Sequence, residues 1–175
     1  MEFMETIRRR QACRAFQDTQ LSGAQLDALL KAANAAPVGM GHYESVHLTV
    51  VQNKDLLEKL NVGAAAFMGD PSLRPTYDAP TVIIVSCDKA EPEEMNYCSA
   101  ACVVENLLLT AADMGLGGVY LMGCVRALQD MNDLQAEMNI PDGFMPMAGM
   151  AVGVPAGELP ARDLTTERIG SDIVR

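Results

Sequence analysis

The chain has 175 residues, of which 49% are hydrophobic and 21% charged, and it carries a formal net charge of −10. That length supports one domain with a real core, and the balance of residue types is that of a globular chain rather than a disordered one. The acidic excess argues against nucleic acid as a general partner. No apolar run reaches a membrane span, and Met1 is followed by an acid rather than a basic-then-apolar signal, so the expectation is a single cytoplasmic domain over residues 1–175 with no membrane contact.

"METIRRRQACRAF" opens as a short helix. It holds Arg8, Arg9, Arg10 and Arg14, four of the chain's 13 basic residues. Guanidinium groups take phosphate oxygens through paired donors, so the cluster reads as an anion site; its plain alternative is a solvated basic helix end. "LSGAQLDALLKAANAAP" is the next helix, with Ser22 as cap, Leu26, Leu29, Leu30 and Ala33 at helical spacing, and Pro37 as stop. In the following loop, "AAPVGMGHY", Gly39 and Gly41 let the backbone approach a neighbour closely.

"VHLTVVQN" predicts a strand and "KDLLEKLNVGAAAF" an amphipathic helical segment. "APTVIIVSCD" is a continuous β-branched run, the pattern of a strand buried on both faces. "NYCSAACVVENLLLTAADMGLGG" is the longest helix, apolar nearly all round until Gly115, which places it inside the molecule or an interface. "GVYLMG" is another strand, ended by Gly123. "VRALQDMNDLQAEMNI" predicts a surface helix, "MPMAGMAVGVP" a buried strand, and "DLTTERIGSDIVR" a last strand. Mixed helices and strands, with most strands too far apart for hairpins, predict an α/β or α+β sandwich around a largely mixed sheet.

The five cysteines form no C-x-x-C pair, and an odd count suits reduced thiols. With two histidines, His42 and His47, no metal set is completed, and buried apolar cysteines are the expectation. The twelve methionines read first as core filling and second as a soft wall for a flat ligand.

The order of the pieces says more than any one of them. "R-x-x-x-R-x-F" near the start, "A-P-x-G" after the second helix, "E-N-L-L-L-x-A-A-x-x-G-L-G" in the middle and "G-x-P" near the end resemble the nitroreductase family of flavin enzymes. The resemblance runs from about Ile7 to Val174. It implies an α+β sandwich with a mixed central sheet flanked by helices, in an intertwined homodimer holding FMN at the subunit interface.

It also implies roles. Arg10 and Arg14 would hold the FMN phosphate, with Gln11 and Ala12 touching phosphate or ring. Arg162, or in second place Arg168, would complete the phosphate site. Pro37, Val38, Gly39 and Gly41 would cover the flavin from the partner subunit, and Leu121, Met122 and Gly123 would turn a backbone N–H toward flavin N5. Ser72 and Arg74 would meet the ribityl chain or pyrimidine ring. The tail from about residue 161 to 175 would reach the partner and add a strand to its sheet.

This sequence departs from the pattern at Ala12, where the family usually has Ser, at Gln11, where it has a basic residue, and at Gly41, where it has Asn. Each lost contact is a hydrogen bond of roughly 0.5–1.5 kcal/mol. The implied activity is ping-pong transfer of reducing equivalents from NADH or NADPH to a small electron-poor acceptor such as a nitroaromatic, quinone or enone. Flavin N5 would carry the chemistry, with no catalytic side chain and no metal. His42, Tyr43 and Tyr120 are candidate proton donors whose ordinary role would be packing. The competing reading is a non-catalytic flavin-binding or redox-sensing protein, supported by the missing polar contacts at Ala12, Val38 and Gly41.

Overall fold

The computed structural model describes residues 2–175. Its helices start where local chemistry predicts. In α1 (Phe3–Arg9), Glu5 sits in the first turn and Arg8 and Arg9 in the last, which complements the helix dipole. α2 (Gly23–Asn34) opens on a capping box: Gln25 N–H donates to Ser22 Oγ at 3.3 Å, and Ser22 N–H donates to Gln25 Oε1 at 2.8 Å. α3 (Lys54–Phe67) is capped by Asn53, whose Oδ1 accepts from the amides of Asp55 and Leu56.

Four strands, β1 (Val46–Val51), β2 (Thr81–Asp88), β3 (Gly117–Leu121) and β4 (Phe144–Gly153), form one sheet in the order β1-β2-β4-β3. Every neighbouring pair is antiparallel, which corrects the expected mixed sheet. Long helical crossovers had suggested parallel neighbours, but here they return the chain to strands running the opposite way. A parallel contact survives as an isolated bridge between Ala12 and Gly118. The β2–β4 register slips between Val85 and Ser86, opposite Pro146, a residue with no N–H to give the ladder.

β2 is buried on both faces, and its alternation separates two cores. Ile83 and Val85 face α2 and α4 (Glu93–Asp113), against Leu29, Val104 and Leu107. Val82 and Ile84 face the opposite layer, against Leu57, Leu60, Val125 and Leu128. Each such side chain removed from water contributes roughly 1.5–3 kcal/mol. The result is a helix–sheet–helix sandwich of the α+β class.

Three expectations are corrected. Residues 123–137 form two short helices, α5 (Gly123–Leu128) and α6 (Asn132–Glu137), rather than one surface helix, and α5 buries Cys124, Val125, Ala127 and Leu128. The girth of α4 is covered mostly within its own chain, by α1, α2 and strands β2, β3 and β4, as its apolar girth predicted, but its cysteines are not all buried. A narrow stripe, including Cys98, Ala101 and Glu105, stays exposed, so Cys98 is not a buried thiol. Finally, the tail makes no strand within this chain: residues 161–175 have no regular structure, and Ile169, Ile173 and Val174 stand at least 80% exposed. Among the described residues, no helix is long and apolar enough to cross a membrane.

The helix-to-strand turn after α4 uses Gly115 at φ +74°, a left-handed position that suits glycine. Two residues on, Gly117 serves differently. A Cβ there would lie 2.5 Å from Cys13 Sγ, so its absence lets the segment after α1 lie against β3.

Candidate functional site

Helix α1 ends at Arg9, and Arg10 already has extended backbone at φ −61°, ψ 114°. The chain then runs along the sheet. Cys13 N–H donates to Gly118 O at 3.0 Å, and Gln17 N–H donates to Val154 O at 2.8 Å. Arg10 and Arg14 are therefore carried by an extended segment, not by one helix face.

The basic cluster divides. Arg8 and Arg9 hold Glu5 at 3.3 Å and 2.8 Å, and the Arg9 hydrogen bond, with Arg8 beside it, keeps that carboxyl below its usual range. Among the described residues no carboxylate pairs with Arg10 or Arg14.

Arg10 faces the tail. Arg162 N–H donates to Arg8 O at 2.9 Å, Arg162 Nη2 donates to Ile7 O at 2.9 Å, and Gln11 Nε2 donates to Pro160 O at 2.7 Å. These bonds strap residues 160–162 onto the chain beside α1. Arg162 Nε is buried without a partner. Desolvation, then the neighbouring Arg10 and Arg168, lower the Arg162 pKa, while Glu105 pulls it the other way. Arg10 and Arg168 are thus near enough to repel the Arg162 charge, whose Nε is buried without a hydrogen-bond partner. An anion there would relieve both the repulsion and the unmet hydrogen bond. Of the two candidate C-terminal arginines, Arg162 is strapped and half-buried and Arg168 is exposed.

Arg14 lies elsewhere, in the wall of a cavity of about 540 Å³. The β3–α5 junction, Leu121, Met122 and Gly123, forms one side, and the loop from Ser72 to Asp78 forms another. Met68, Leu73 and Tyr120 add apolar surface. Arg14 Cζ stands 5.8 Å from the centroid of the Tyr77 ring. Ser72 and Arg74 are both present, but their polar groups are engaged: Ser72 Oγ donates to Asp70 at 2.6 Å, and Arg74 holds Asp78 at 2.7 Å and Glu58 through two nitrogens. Cys124, in the same wall, has its thiol pushed up to about 12 by burial, so it is no thiolate nucleophile at neutral pH. Burial likewise raises Tyr120, which keeps its phenol proton.

Pro37, Val38, Gly39 and Gly41 are not in this cavity. Their loop docks on α4, where Gly39 N–H donates to Ser99 Oγ at 3.1 Å. Tyr43 OH closes the loop base on Ala36 O at 3.2 Å, and His42 Nδ1 meets Glu91 at 3.0 Å. The tip residue Met40 is left-handed at φ 53° and 83% exposed. Residues that sequence reasoning missed are Tyr77, Met68 and Leu73. Nothing in "SLRPTYDAP" marks the tyrosine, because its partner lies far away along the chain.

The model of the nitroreductase family matches residues 7–154. A Methanothermobacter thermautotrophicus protein provisionally named an NADH dehydrogenase/NAD(P)H nitroreductase is 29% identical over 171 residues, covering 94% of this chain and 83% of that one. A Bacteroides fragilis nitroreductase solved with bound FMN superposes with a TM-score of 0.86 at 26% identity over 100% of both chains. An FMN-bound nitroreductase from Desulfitobacterium hafniense shares the fold, with a TM-score of 0.86 at 20% identity over 99% of each chain.

Proposed function

The chain belongs to the nitroreductase family, and from that membership we infer that it is an FMN-dependent oxidoreductase taking electrons from NADH or NADPH. Its acceptor is a small electron-poor molecule of the nitroaromatic, quinone or enone type, which follows the reduced nicotinamide in a ping-pong cycle. The observation that carries this reading is the buried, unpartnered Nε of Arg162, whose charge Arg10 and Arg168 repel, a combination that suits an anion.

The residues present fit the cofactor. A cavity of about 540 Å³ lies within the range of small-molecule sites, roughly 300–1,000 Å³. It is lined by flat apolar surface and one uncompensated cation. FMN supplies the hydride chemistry when bound, and the chain supplies position and field. Arg10, Arg162 and Arg168 would hold the phosphate, with Gln11 and Ala12 beside Arg10 on the same extended segment. Arg14 would offer the cofactor its charge from the cavity wall. The backbone from Leu121 to Gly123 offers amide donors there. Ser72 and Arg74 give the cavity shape, since their polar atoms are held by Asp70, Glu58 and Asp78.

The proposal includes a homodimer. The loop of Pro37, Val38, Gly39 and Gly41 stands away from its own chain's cavity with Met40 projecting, which supports the reading that it covers the cavity of a second copy. The exposed apolar tail gives that second copy something to bind.

The test is a spectrum. The purified protein is expected to be yellow, and NADH or NADPH should bleach it without oxygen. An apoprotein that takes up no added FMN would overturn the reading. A yellow protein that neither nucleotide bleaches would make it a flavin binder without turnover.

A further inference from the structure

The loop between α3 and β2 holds two consecutive non-glycine residues in left-handed backbone, Tyr77 at φ 56° and Asp78 at φ 51°. Such strain persists only where the surroundings over-determine it. Here they do. Tyr77 N–H donates to Arg74 O at 2.7 Å, and Arg74 Nε donates to Asp78 Oδ1 at 2.7 Å. A second pair of guanidinium nitrogens anchors Arg74 to Glu58 on α3. Just before the strained pair, the Thr76 amide and hydroxyl donate to Asn61 Oδ1 at 3.0 and 2.8 Å, in a spot where both residues are at most 2% exposed.

This bracing sets where the Tyr77 ring goes, which is against the Arg14 guanidinium at 5.8 Å, within cation–π reach. An aromatic face holds a guanidinium without neutralising it and leaves its N–H edge free for an acceptor. A carboxylate would hold it and cancel it. The nearby carboxylates, Glu58 and Asp78, are both taken by Arg74. In a chain of net charge −10, that removes the acids that would otherwise capture Arg14.

We propose that Tyr77 is a positioning residue that stacks on Arg14 and holds its uncompensated charge in the cavity wall, with Arg74 acting from behind as the clamp of the loop instead of as a cofactor ligand. The proposal rests on the reading that FMN occupies this cavity.

A double-mutant cycle tests it, with FMN dissociation constants measured by flavin fluorescence on the apoprotein. Arg14→Met is expected to weaken binding by at least about tenfold, the loss of a charge-assisted contact. Tyr77→Leu should weaken it about two- to fivefold, the span of an exposed cation–π contact. Tyr77→Phe, which keeps the ring, should restore affinity to near wild type. Adding Tyr77→Leu to Arg14→Met should cost nothing further, because Tyr77 acts through Arg14.

Additive losses in the double variant would overturn the proposal, as would an unchanged Tyr77→Leu or a Tyr77→Phe as weak as Tyr77→Leu. If Tyr77→Leu does not fold, Arg74→Gln provides the second arm. It frees Glu58 and Asp78, so it should weaken FMN in the wild-type background and not in the Arg14→Met background. Equal weakening in both would make Arg74 a direct ligand and sink the inference. A wild-type protein that binds no FMN defeats the cofactor reading itself, whereas tight wild-type binding with additive variants defeats the positioning role alone.

Discussion

Replacing Arg162 by methionine separates two effects that usually travel together. Methionine keeps most of the apolar stem and removes the guanidinium, with its unpartnered Nε and its bond to Ile7 O at 2.9 Å. Without cofactor the change is nearly balanced. The bond to Ile7 O is lost, about 0.5–1.5 kcal/mol, while burial of a cation and its repulsion by Arg10 and Arg168 are relieved. The apoprotein's melting temperature should therefore move by no more than about 2–4 °C, the shift that roughly 1 kcal/mol produces in a chain of this size. It should move upward at low salt, where the repulsion is least screened. With cofactor the sign is fixed. A phosphate loses a charge-assisted contact worth about 1.5–3 kcal/mol, so FMN affinity should fall roughly 10- to 150-fold. Isothermal titration of apoprotein with FMN measures this, with Arg9→Ala as control. Arg9 is paired to Glu5 with a side chain 53% exposed, and its removal should change affinity by less than about twofold. An Arg162→Met protein that binds FMN as tightly as wild type, or an Arg9→Ala loss of equal size, would refute the phosphate assignment.

Arg14→Ala should also weaken FMN far more than Arg9→Ala, by about tenfold or more, since one side chain is uncompensated in the cavity wall and the other is neutralised; equal dissociation constants by fluorescence titration would contradict this. Truncation after Pro160 should weaken FMN binding and dimerisation together, through loss of Arg162, Arg168 and the exposed apolar tail, and a truncated protein still dimeric in light scattering and fully yellow would make the tail dispensable. Acid should loosen the cavity rim. The Arg74 hydrogen bond depresses the Glu58 pKa, and the Ser72 side chain and then its amide depress that of Asp70. A depressed carboxyl contributes stability that is full above its unfolded pKa and is lost as pH falls through the folded one, so FMN release should steepen below about pH 4. Glu58→Gln should flatten that acid limb, and an unaltered limb would remove Glu58 from the account.

Features governed by neighbours along the chain can be read from the residues alone. Ser22 and Gln25 mark a helix start because a capping box closes within four residues. The run from Val82 to Cys87 declares a doubly buried strand because side-chain alternation is a property of the strand alone. The ordered motifs were enough for the family, and with it for the proposal that Arg10, Arg162 and the β3–α5 junction meet the cofactor. Tertiary structure decided the rest. Strand direction in the sheet depends on the path of each crossover, which no local pattern encodes. Residues 123–137 looked like a surface helix because their polar residues are frequent, yet the break at Gln129–Met131 lets α5 turn its apolar side chains inward. Above all, the four N-terminal arginines are chemically identical in sequence. Arg8 and Arg9 lie one turn from Glu5 and share its carboxylate. Arg10 and Arg14 leave the helix, come near the half-buried Arg162 and the Tyr77 ring respectively, and pair with no carboxylate among the described residues. Whether a cation is spent or available depends on which carboxylates the folded chain brings within about 4 Å, because screening by water erases the rest.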